Sequence, residues 1–255
     1  MSRALISDNL ADVAAWPHRL KFEPLLSSAG LIELYTAHAG LEPGAASLVS
    51  EWVGLKGNAA RDTVVAGDPL YSASAGGAGI PGLVFTNPQI LHSKIAPTAE
   101  GSWLWAARTP ATMAAHQCIA GSHLNTTNRL AMLVDNTFHI YGQIGATDYT
   151  GTQILRHAPA LSPSTNYVFG MTWDAAGLAT LYLDGASVDT ATWNGGGATT
   201  GTLSMSIGGR RDTTEDNTGN LKWQSAIMAG ALYNTAKSGA DMATLSAAMA
   251  ALLAA

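Results

Sequence analysis

Residues 166–193, NYVFGMTWDAAGLATLYLDGASVDTATW, predict three antiparallel strands joined by two tight turns. Side chains alternate between the two faces of a strand, so the first strand presents one continuous apolar face. That face consists of Tyr167, Phe169, Met171 and Trp173. Residues 174–177 form the first turn, in which Gly177 supplies a positive φ angle. The Asp184-Gly185 pair is a strong signal for a two-residue hairpin turn.

Short strands are predicted on both sides of this meander. They fall at residues 47–52, 79–85, 101–107, 129–143, 201–208 and 221–233. The 129–143 segment turns at Asp135-Asn136 and is predicted to place Phe138 and Ile140 across from Leu133. Residues 238–253 predict a final helix capped by Ser238. At least ten short strands with turn signals between them favour an all-β, two-sheet antiparallel jelly-roll sandwich.

The N-terminal residues 1–45 differ from the rest and are separated from a jelly-roll domain at 46–255. Apolar residues in 4–16 follow a helical spacing, which Pro17 would end, and residues 25–44 indicate no clear element. Two interpretations stay open. The segment is either a helix and loop packed over the sandwich, or an assembly arm that docks on a neighbouring subunit.

The composition of the chain limits which kinds of binding partner and which cellular compartment we expect. A net charge of −5 with thirteen basic residues argues against nucleic-acid binding, and no apolar run is long enough to insert into a membrane. The first residues lack the apolar core of a signal peptide, and Cys118 is the single cysteine. We therefore expect a protein made in the cytoplasm and not secreted. Low charge and Ala/Leu/Met-rich ends predict a homo-oligomer, with a trimer preferred.

Three stretches resemble a known family of sandwiches. TWDAAGLATLYLDGASVDT, SMSIGGR and WQSAIMAGALYNTAKSGADMATL are similar to the strand, "YLDG", "IGG" and terminal strand-helix motifs of concanavalin A-like, laminin-G-like jelly rolls. Upstream, residues 49–52, 57–58, 68–71 and 80–85 look like the entry segment of the bacteriophage virion versions of this domain. The resemblance covers about residues 46–255 and is best after Asn166. Its motifs are turn and core residues, so they specify fold better than function.

The sequence offers no catalytic constellation. Glucanases of this fold use carboxylates at alternate positions of one strand, and none of the six glutamates begins an E-x-D-x-x-E pattern. Cys118 lies two residues from His116, so a thiol-imidazole pair is conceivable, but a buried structural thiol is favoured. We therefore expect no enzyme activity and no catalytic residues. The tryptophans within strands, Trp103, Trp105, Trp173 and Trp223, are expected in the core.

One loop carries the oxygen donors that a hard cation prefers: Asp212, Glu215, Asp216 and Asn217. Lectin-like sandwiches often hold calcium at such a rim loop, yet no family metal motif matches here. A solvated surface loop is the favoured interpretation. Calcium is the one cofactor considered, and none is required by the sequence.

For sugar binding, the candidate contacts are aromatic residues beside polar ones. Trp193 stands next to Asn194 at the end of a predicted strand, and Tyr149 stands next to Asp148. Trp193 is either exposed over the following glycine loop or a cap on the core.

Two functions follow as hypotheses. The first is a non-enzymatic virion protein of a bacteriophage, located in the capsid, a head fibre or the tail, with other virion proteins as partners. The alternative is a carbohydrate-binding adhesion module that recognises host surface glycans. The two are compatible, because a surface decoration can also adhere.

Overall fold

The computed structural model contains two α-helices, one short 3-10 helix (Leu252–Ala254) and eighteen strands in the part of the chain that it describes. The described residues are 19–38, 41–43, 48–62, 68–86, 89–123, 129–145, 155–192, 204–211 and 221–254. In this part of the chain no helix is long and apolar enough to cross a membrane. The predicted helix at residues 4–16 lies outside these ranges.

Eight strands form sheet A. They are β1 (Leu31–Thr36), β5 (Leu70–Ser72), β6 (Gly82–Val84), β8 (Gly101–Arg108), β13 (Asn166–Trp173), β14 (Leu178–Leu183), β15 (Ala186–Thr192) and β18 (Ala226–Tyr233). Their order across the sheet is β15-β14-β13-β8-β18-β6-β5, and β1 also pairs with β18. All pairs in this sheet are antiparallel.

Ten strands form sheet B. They are β2 (Leu41–Pro43), β3 (Val49–Val53), β4 (Ala59–Asp62), β7 (Leu91–Ser93), β9 (Gln117–His123), β10 (Arg129–Val134), β11 (Ile140–Ile144), β12 (Leu155–Arg156), β16 (Ser206–Ile207) and β17 (Arg210–Arg211). Their order is β12-β11-β10-β9-β16-β7-β4-β3-β2, and β17 pairs with β9 in parallel. The two sheets confirm the predicted all-β jelly-roll sandwich.

The meander at 166–193 is confirmed as β13, β14 and β15, up to Thr192. Gly177 has φ 93°, as its turn requires. Asp184 and Gly185 both have positive φ angles, 49° and 84°, which is the pattern of a type I′ hairpin turn. The right-handed twist of strands favours this turn, so local sequence and sheet geometry agree here.

Aromatic residues fill the core between the sheets. Every tryptophan in the described residues is buried: Trp52, Trp103, Trp105, Trp173 and Trp223. The Trp103 and Trp173 rings meet edge to face, with centroids 5.5 Å apart. The expectation that the strand tryptophans belong to the core is confirmed, and none of the five offers an exposed platform for a ligand.

Two helices cover the outer face of sheet A. Helix α1 (Arg19–Ser27) packs beside helix α2 (Gly239–Ala251), whose Met242, Leu245 and Met249 are buried. A capping box between Ser238 and Asp241 starts α2, as the sequence predicts. Because these helices bury the outer face of sheet A, its strands can be apolar on both faces. Of the two outer sheet faces, only that of sheet B lacks a helix in the described residues.

The N-terminal segment contributes to the sandwich itself. Strand β1 runs beside β18, with Leu34 opposite Ala231, and Leu34 and Tyr35 are fully buried. Residues 31–36 are therefore part of sheet A.

Helix α1 also packs on the sandwich, because Leu25 is fully buried and its carbonyl accepts from the Tyr233 hydroxyl. Docking of residues 1–45 on another subunit stays a prediction, and only the residues before Arg19 are free of a described role in the sandwich.

The β10–β11 hairpin differs from its predicted pairing. Leu133 lies opposite Tyr141 and Val134 opposite Ile140, while Phe138 is in the turn at φ 66°. The prediction that Phe138 and Ile140 face Leu133 is wrong, because Phe138 takes the left-handed position that leaves the ladder. Gly177 occupies the equivalent position in the β13–β14 turn.

Candidate functional site

The eight residues predicted to bind sugar or calcium all lie outside the described residues. Asp148 and Tyr149 belong to segment 146–154, Trp193 and Asn194 to segment 193–203, and Asp212, Glu215, Asp216 and Asn217 to segment 212–220. Their roles stay predictions. The strand ends that flank the three segments are described, and they show where each segment leaves the sandwich.

The end of the sandwich at which strand β13 of sheet A stops, at Trp173, is its upper end. The indole N–H of Trp173 donates to the Thr98 carbonyl at 3.0 Å, and Ile95 accepts from the Met205 N–H at 2.8 Å. Met205 directly precedes β16 of sheet B. Segment 95–98 thus connects the upper ends of the two sheets, and β15 ends at this level in Thr192, opposite Leu178.

In sheet B, β9, β11 and β17 all end at the upper end. Strand β16 starts there and runs antiparallel to β9, while β17 runs parallel to β9 with Arg211 beside Ser122. At the end of β11, the Gly145 N–H donates to the Arg129 carbonyl at 2.9 Å. Segments 146–154, 193–203 and 212–220 therefore all leave the sandwich from one end. The topology thus brings together the strand ends from which the three segments leave, although the segments are far apart in the sequence.

Next to that end, the outer face of sheet B carries basic and amide side chains. Arg129, Gln143 and Arg210 lie on neighbouring strands there, with Arg129 and Gln143 buried and Arg210 partly exposed. The five adjacent strands β9, β10, β11, β16 and β17 contain no acidic residue. These three side chains form the upper patch.

Small residues let the Arg210 side chain lie across the sheet. Gly121, Ala131 and Gln143 form one row across β9, β10 and β11. A Cβ atom at Gly121 would come within 3.3 Å of the Arg210 Cγ and within 2.9 Å of the Ala131 Cβ. From this position the Arg210 Nη1 donates to the Gln143 Oε1 at 3.3 Å. A side chain at 121 would therefore crowd both Ala131 and the Arg210 side chain.

The lower half of the same face holds a closed polar cluster around Tyr141. The Arg156 guanidinium lies 5.2 Å from the Tyr141 ring centroid, and the His116 ring stacks on it at 6.4 Å. The Tyr141 hydroxyl donates to the Asp135 Oδ2 at 2.8 Å. Because its ring and hydroxyl are engaged within the protein, Tyr141 is a structural residue rather than a sugar platform.

Asp135 organises the turn below this cluster. Its Oδ1 accepts from the backbone N–H groups of Thr137 and His139, each at 2.8 Å. Burial raises the pKa of Asp135, but hydrogen bonds from His139, Tyr141 and the remaining donors outweigh burial and lower the pKa to about 2. The carboxylate therefore stays ionised at any ordinary pH.

The low pKa of Asp135 predicts that the folded protein loses stability in acid. The folded-state pKa of about 2 lies below the ordinary value of 3.8 for an aspartate, so the unfolded chain binds more protons between these values. We expect the Asp135 contribution, roughly 1 to 2 kcal/mol after solvent screening, to be present above pH 4 and lost as pH falls towards 2. Urea unfolding of wild type and Asp135→Asn at pH 7, 4 and 2.5 measures this contribution.

The matched control for that experiment is Asp174→Asn. Asp174 caps a turn of the same construction, where its Oδ1 accepts from the Leu178 N–H at 2.8 Å. We expect a smaller loss of stability at pH 7 for Asp174→Asn than for Asp135→Asn, because Asp135 has more donors. If the Asp135→Asn variant loses as much stability between pH 4 and 2.5 as the wild type does, the acid sensitivity does not come from Asp135.

Cys118 lies beside this cluster and is fully buried. Burial raises the pKa of its thiol to about 12, so the reactive thiolate is scarce at neutral pH. The structure supports the structural interpretation of Cys118 over the thiol-imidazole pair.

The two buried carboxylates of the described part lie in different sheets, and no metal centre forms among the described residues. They are Glu33 on sheet A and Asp135 in a turn of sheet B, and each accepts several hydrogen bonds. No group of three or more His, Cys, Asp or Glu residues is placed to hold a metal within the described ranges. The predicted calcium loop lies outside those ranges.

Comparison with known proteins defines the fold further. No family model matches the sequence, and no curated protein matches it in sequence. A mutant of Trypanosoma rangeli sialidase that displays trans-sialidase activity matches 95% of the chain with a TM-score of 0.63 and 14% identity. The same sialidase in complex with the inhibitor DANA matches 86% of the chain with a TM-score of 0.56 and 15% identity. The chain spans only 39% and 33% of those two proteins.

A second similar structure is a complete domain. Domain 4 of AbnA, a GH43 extracellular arabinanase from Geobacillus stearothermophilus in complex with arabinotriose, matches 85% of the chain with a TM-score of 0.58 and 12% identity. The match covers 98% of that domain. At identities of 12 to 15% these similarities establish the fold alone, a jelly-roll-like β-sandwich.

Proposed function

We propose that the protein is a non-enzymatic carbohydrate-binding module whose ligand binds at the upper end of the sandwich. One observation carries this proposal: the segments that contain Tyr149, Trp193 and the acidic 212–217 loop all leave from that end. Sugar sites combine aromatic and polar side chains in one place.

The similar structures support the proposal by analogy of fold. AbnA domain 4 corresponds to this chain over nearly its whole length, and it is in complex with arabinotriose. A fold of this size therefore suffices to bind an oligosaccharide. Because the chain spans about a third of the sialidases, sialidase activity is not carried over to it.

The non-enzymatic part of the proposal rests on the carboxylates. Glycoside hydrolysis requires two carboxyl groups facing one glycosidic bond. Glu33 and Asp135, the buried carboxylates of the described residues, lie in separate places and act as hydrogen-bond acceptors for turns. An assay for reducing-sugar release from arabinan, galactan and pectin tests this part, and any turnover above a blank contradicts it.

The virion hypothesis remains a prediction that depends on the sequence resemblance. Its capsid or tail partners, its trimeric state and its location in a particle belong to that prediction. The similar structures, a trypanosome sialidase and a bacterial arabinanase, carry no indication of it. Glycan binding is compatible with it, since a decoration of a particle can also attach to a host surface.

Trp193→Ala is the direct test of the proposed site. An aromatic ring that stacks on a sugar contributes substantial binding energy, and its loss typically lowers affinity by more than tenfold. A glycan array first identifies the glycan that the wild type binds most tightly. We expect Trp193→Ala to lower affinity for that glycan at least tenfold, and Tyr149→Ala to lower it several-fold. Isothermal titration calorimetry with that ligand measures both changes.

The control is Thr244→Ala, a change at an exposed position of helix α2 on the opposite side of sheet A. Thermal unfolding of each variant shows whether a lower affinity comes from a lost contact with the glycan or from a destabilised fold. If neither Trp193→Ala nor Tyr149→Ala lowers the affinity for the glycans that bind on the array, the sugar site lies elsewhere on the protein. An array without any hit contradicts the function itself.

A further inference from the structure

Strands β15 and β12 form one side of the sandwich. Among the described residues, β15 is the last strand in the order of sheet A and β12 the last in the order of sheet B, and the two strands contact each other. In β15, Ala186, Ser187, Thr190 and Thr192 are exposed. An exposed edge strand offers its backbone N–H and C=O groups to a strand of another chain. This side of the sandwich is therefore open to strand pairing unless its backbone groups are otherwise engaged.

The backbone of Thr190 points to the open edge of β15. Its partner in β14 is Thr180. The Leu178 carbonyl accepts from the Asp174 N–H on the β13 side, and backbone groups two residues apart in a strand face the same side. The groups of Thr180 therefore also face β13, so they cannot bond to Thr190. The Thr190 N–H donates instead to the Asp189 Oδ1, at 2.8 Å.

In β12, the backbone N–H of Arg156 also points away from its sheet. The neighbouring His157 N–H donates to the Ile140 carbonyl of β11, so the backbone of Arg156 faces the opposite side. The Arg156 N–H donates to the Asp189 Oδ2 at 2.7 Å. One carboxylate thus accepts an outward N–H group from the edge strand of each sheet.

A β-bulge in β15 accompanies this position of the Asp189 side chain. Leu181 lies opposite Asp189 and Tyr182 opposite Ser187, so Val188 is an extra residue in β15. Residues directly opposite each other point to the same face, and Leu181 is fully buried in the core. Asp189 therefore points towards sheet B, where its carboxylate reaches β12. Bulges and inward-pointing charges are features that keep edge strands from pairing with other chains.

Apart from Asp189, β15 has the composition of a strand that pairs readily. Its sequence, ASVDTAT, contains the β-branched residues Val188, Thr190 and Thr192 and neither Lys, Arg nor Pro. Asp189 is its only charged residue. In an antiparallel pair of two β15 strands centred on Thr190, the two Asp189 carboxylates occupy diagonal positions, where like charges repel each other. Removing Asp189 therefore removes this repulsion and frees two outward N–H groups at once.

We infer that the exposed edge of β15 is a pairing surface for a second copy of this chain, and that Asp189 keeps this edge closed by binding the N–H groups of Thr190 and Arg156. Closure of the edge does not depend on carbohydrate binding. It bears on the predicted homo-oligomer, which in the wild type then has to form through another surface.

Asp189→Ala is the variant that opens the edge. Alanine has no side-chain acceptor, so both N–H groups lose their partner. We expect the variant to self-associate at least about tenfold more tightly than the wild type and to approach twice the wild-type mass, because the freed edge pairs with that of a second copy. Sedimentation velocity over a range of protein concentrations measures this change. In the associated form, hydrogen exchange should slow in residues 186–192 and stay unchanged in helix α2.

Two further variants separate an opened edge from a general loss of stability. Asp174→Ala removes a carboxylate that accepts from the Leu178 N–H at 2.8 Å, in the turn between β13 and β14. We expect it to lower Tm and to keep the wild-type mass. Thr190→Lys, added to Asp189→Ala, places a cation on the exposed edge. This double variant should return to the wild-type mass while its Tm stays low, because lysine hinders strand pairing without replacing the carboxylate.

Asp189→Asn covers the case in which Asp189→Ala does not fold, since the amide keeps one acceptor oxygen. It should associate more tightly than the wild type and less tightly than Asp189→Ala. A wild-type mass for both Asp189 variants at every concentration overturns the inference. Equal association of Asp174→Ala, or association that Thr190→Lys does not reverse, also overturns it, because the association then comes from unfolded chains rather than from the edge of β15.

Discussion

Gly230→Ala is expected to destabilise the protein by about 3 kcal/mol, which for a chain of this size lowers Tm by roughly 6 to 12 °C. Gly230 lies in β18 directly opposite Trp105 of β8, at the centre of sheet A. A Cβ atom on Gly230 would be 2.1 Å from the Trp105 Cζ3 and 2.3 Å from its Cε3. Trp105 is fully buried, so its ring can move only by displacing the core.

Two further variants check that the effect comes from this contact. Gly239→Ala adds a Cβ at the start of helix α2, where only the Tyr182 hydroxyl lies as close as 4.0 Å, and it should be neutral or stabilising. Trp105→Phe in the Gly230→Ala background shortens the ring and should recover part of the loss. Strictly additive effects of Gly230→Ala and Trp105→Phe in urea unfolding would contradict the steric explanation.

Much of the sandwich could be predicted because its signals are local. Alternation of apolar residues in β13, the glycine at 177 and the Asp184-Gly185 turn each act within a few residues, and all three predictions are confirmed. The capping box of helix α2 is equally local. Burial of the strand tryptophans follows from their size and apolar character, which few surface positions accommodate.

Other features depend on contacts between distant segments. Strand β1 carries no turn signal that ties it to sheet A, yet it pairs with β18 about 200 residues later in the sequence. Phe138 accepts a left-handed conformation that its residue type disfavours, because the turn around it is held by Asp135. Local propensity could predict neither.

The upper patch illustrates the same limit for function. Alternation in RLAMLV and IYGQI places Arg129 and Gln143 on one face, so this much was available from the sequence. The contact of Gln143 with Arg210 was not, since 67 positions separate them in the chain. The composition of their segments predicts Trp193 and Tyr149 as contacts one at a time, and only the topology shows that the two segments leave from the same end of the sandwich.

The second large effect is expected at Glu33, a carboxylate without exposure to solvent. Its Oε1 accepts from the N–H groups of Leu34 and Lys56, at 2.8 and 2.6 Å. Its Oε2 accepts from the backbone and side-chain nitrogens of Asn58, at 2.8 and 3.0 Å. Glu33 therefore ties β1 of sheet A to the turn between β3 and β4 of sheet B.

Burial raises the pKa of Glu33 although its hydrogen bonds act in the opposite direction, so desolvation offsets part of what these bonds contribute. Removing the carboxylate is nevertheless harmful, because it leaves the donors of the turn without their acceptor. We expect Glu33→Ala to lower stability by about 3 kcal/mol in urea unfolding, and Glu33→Gln by about 2 kcal/mol, since one amide N–H group then faces another donor.

Glu51→Ala supplies the matched control, because it removes the same residue type from the neighbouring strand β3. Glu51 pairs with Arg61 at 3.1 Å near the surface, where such ion pairs contribute less than about 1 kcal/mol. If Glu33→Ala is no more harmful than Glu51→Ala, the buried carboxylate does not hold the sheets together. A large loss for Glu33→Ala alone instead means that residues 31–36 stabilise the jelly roll, so deleting residues 1–45 would unfold it. Any docking role of the N-terminal segment then has to be tested by a truncation that ends before Arg19, so that helix α1 and strand β1 are both kept.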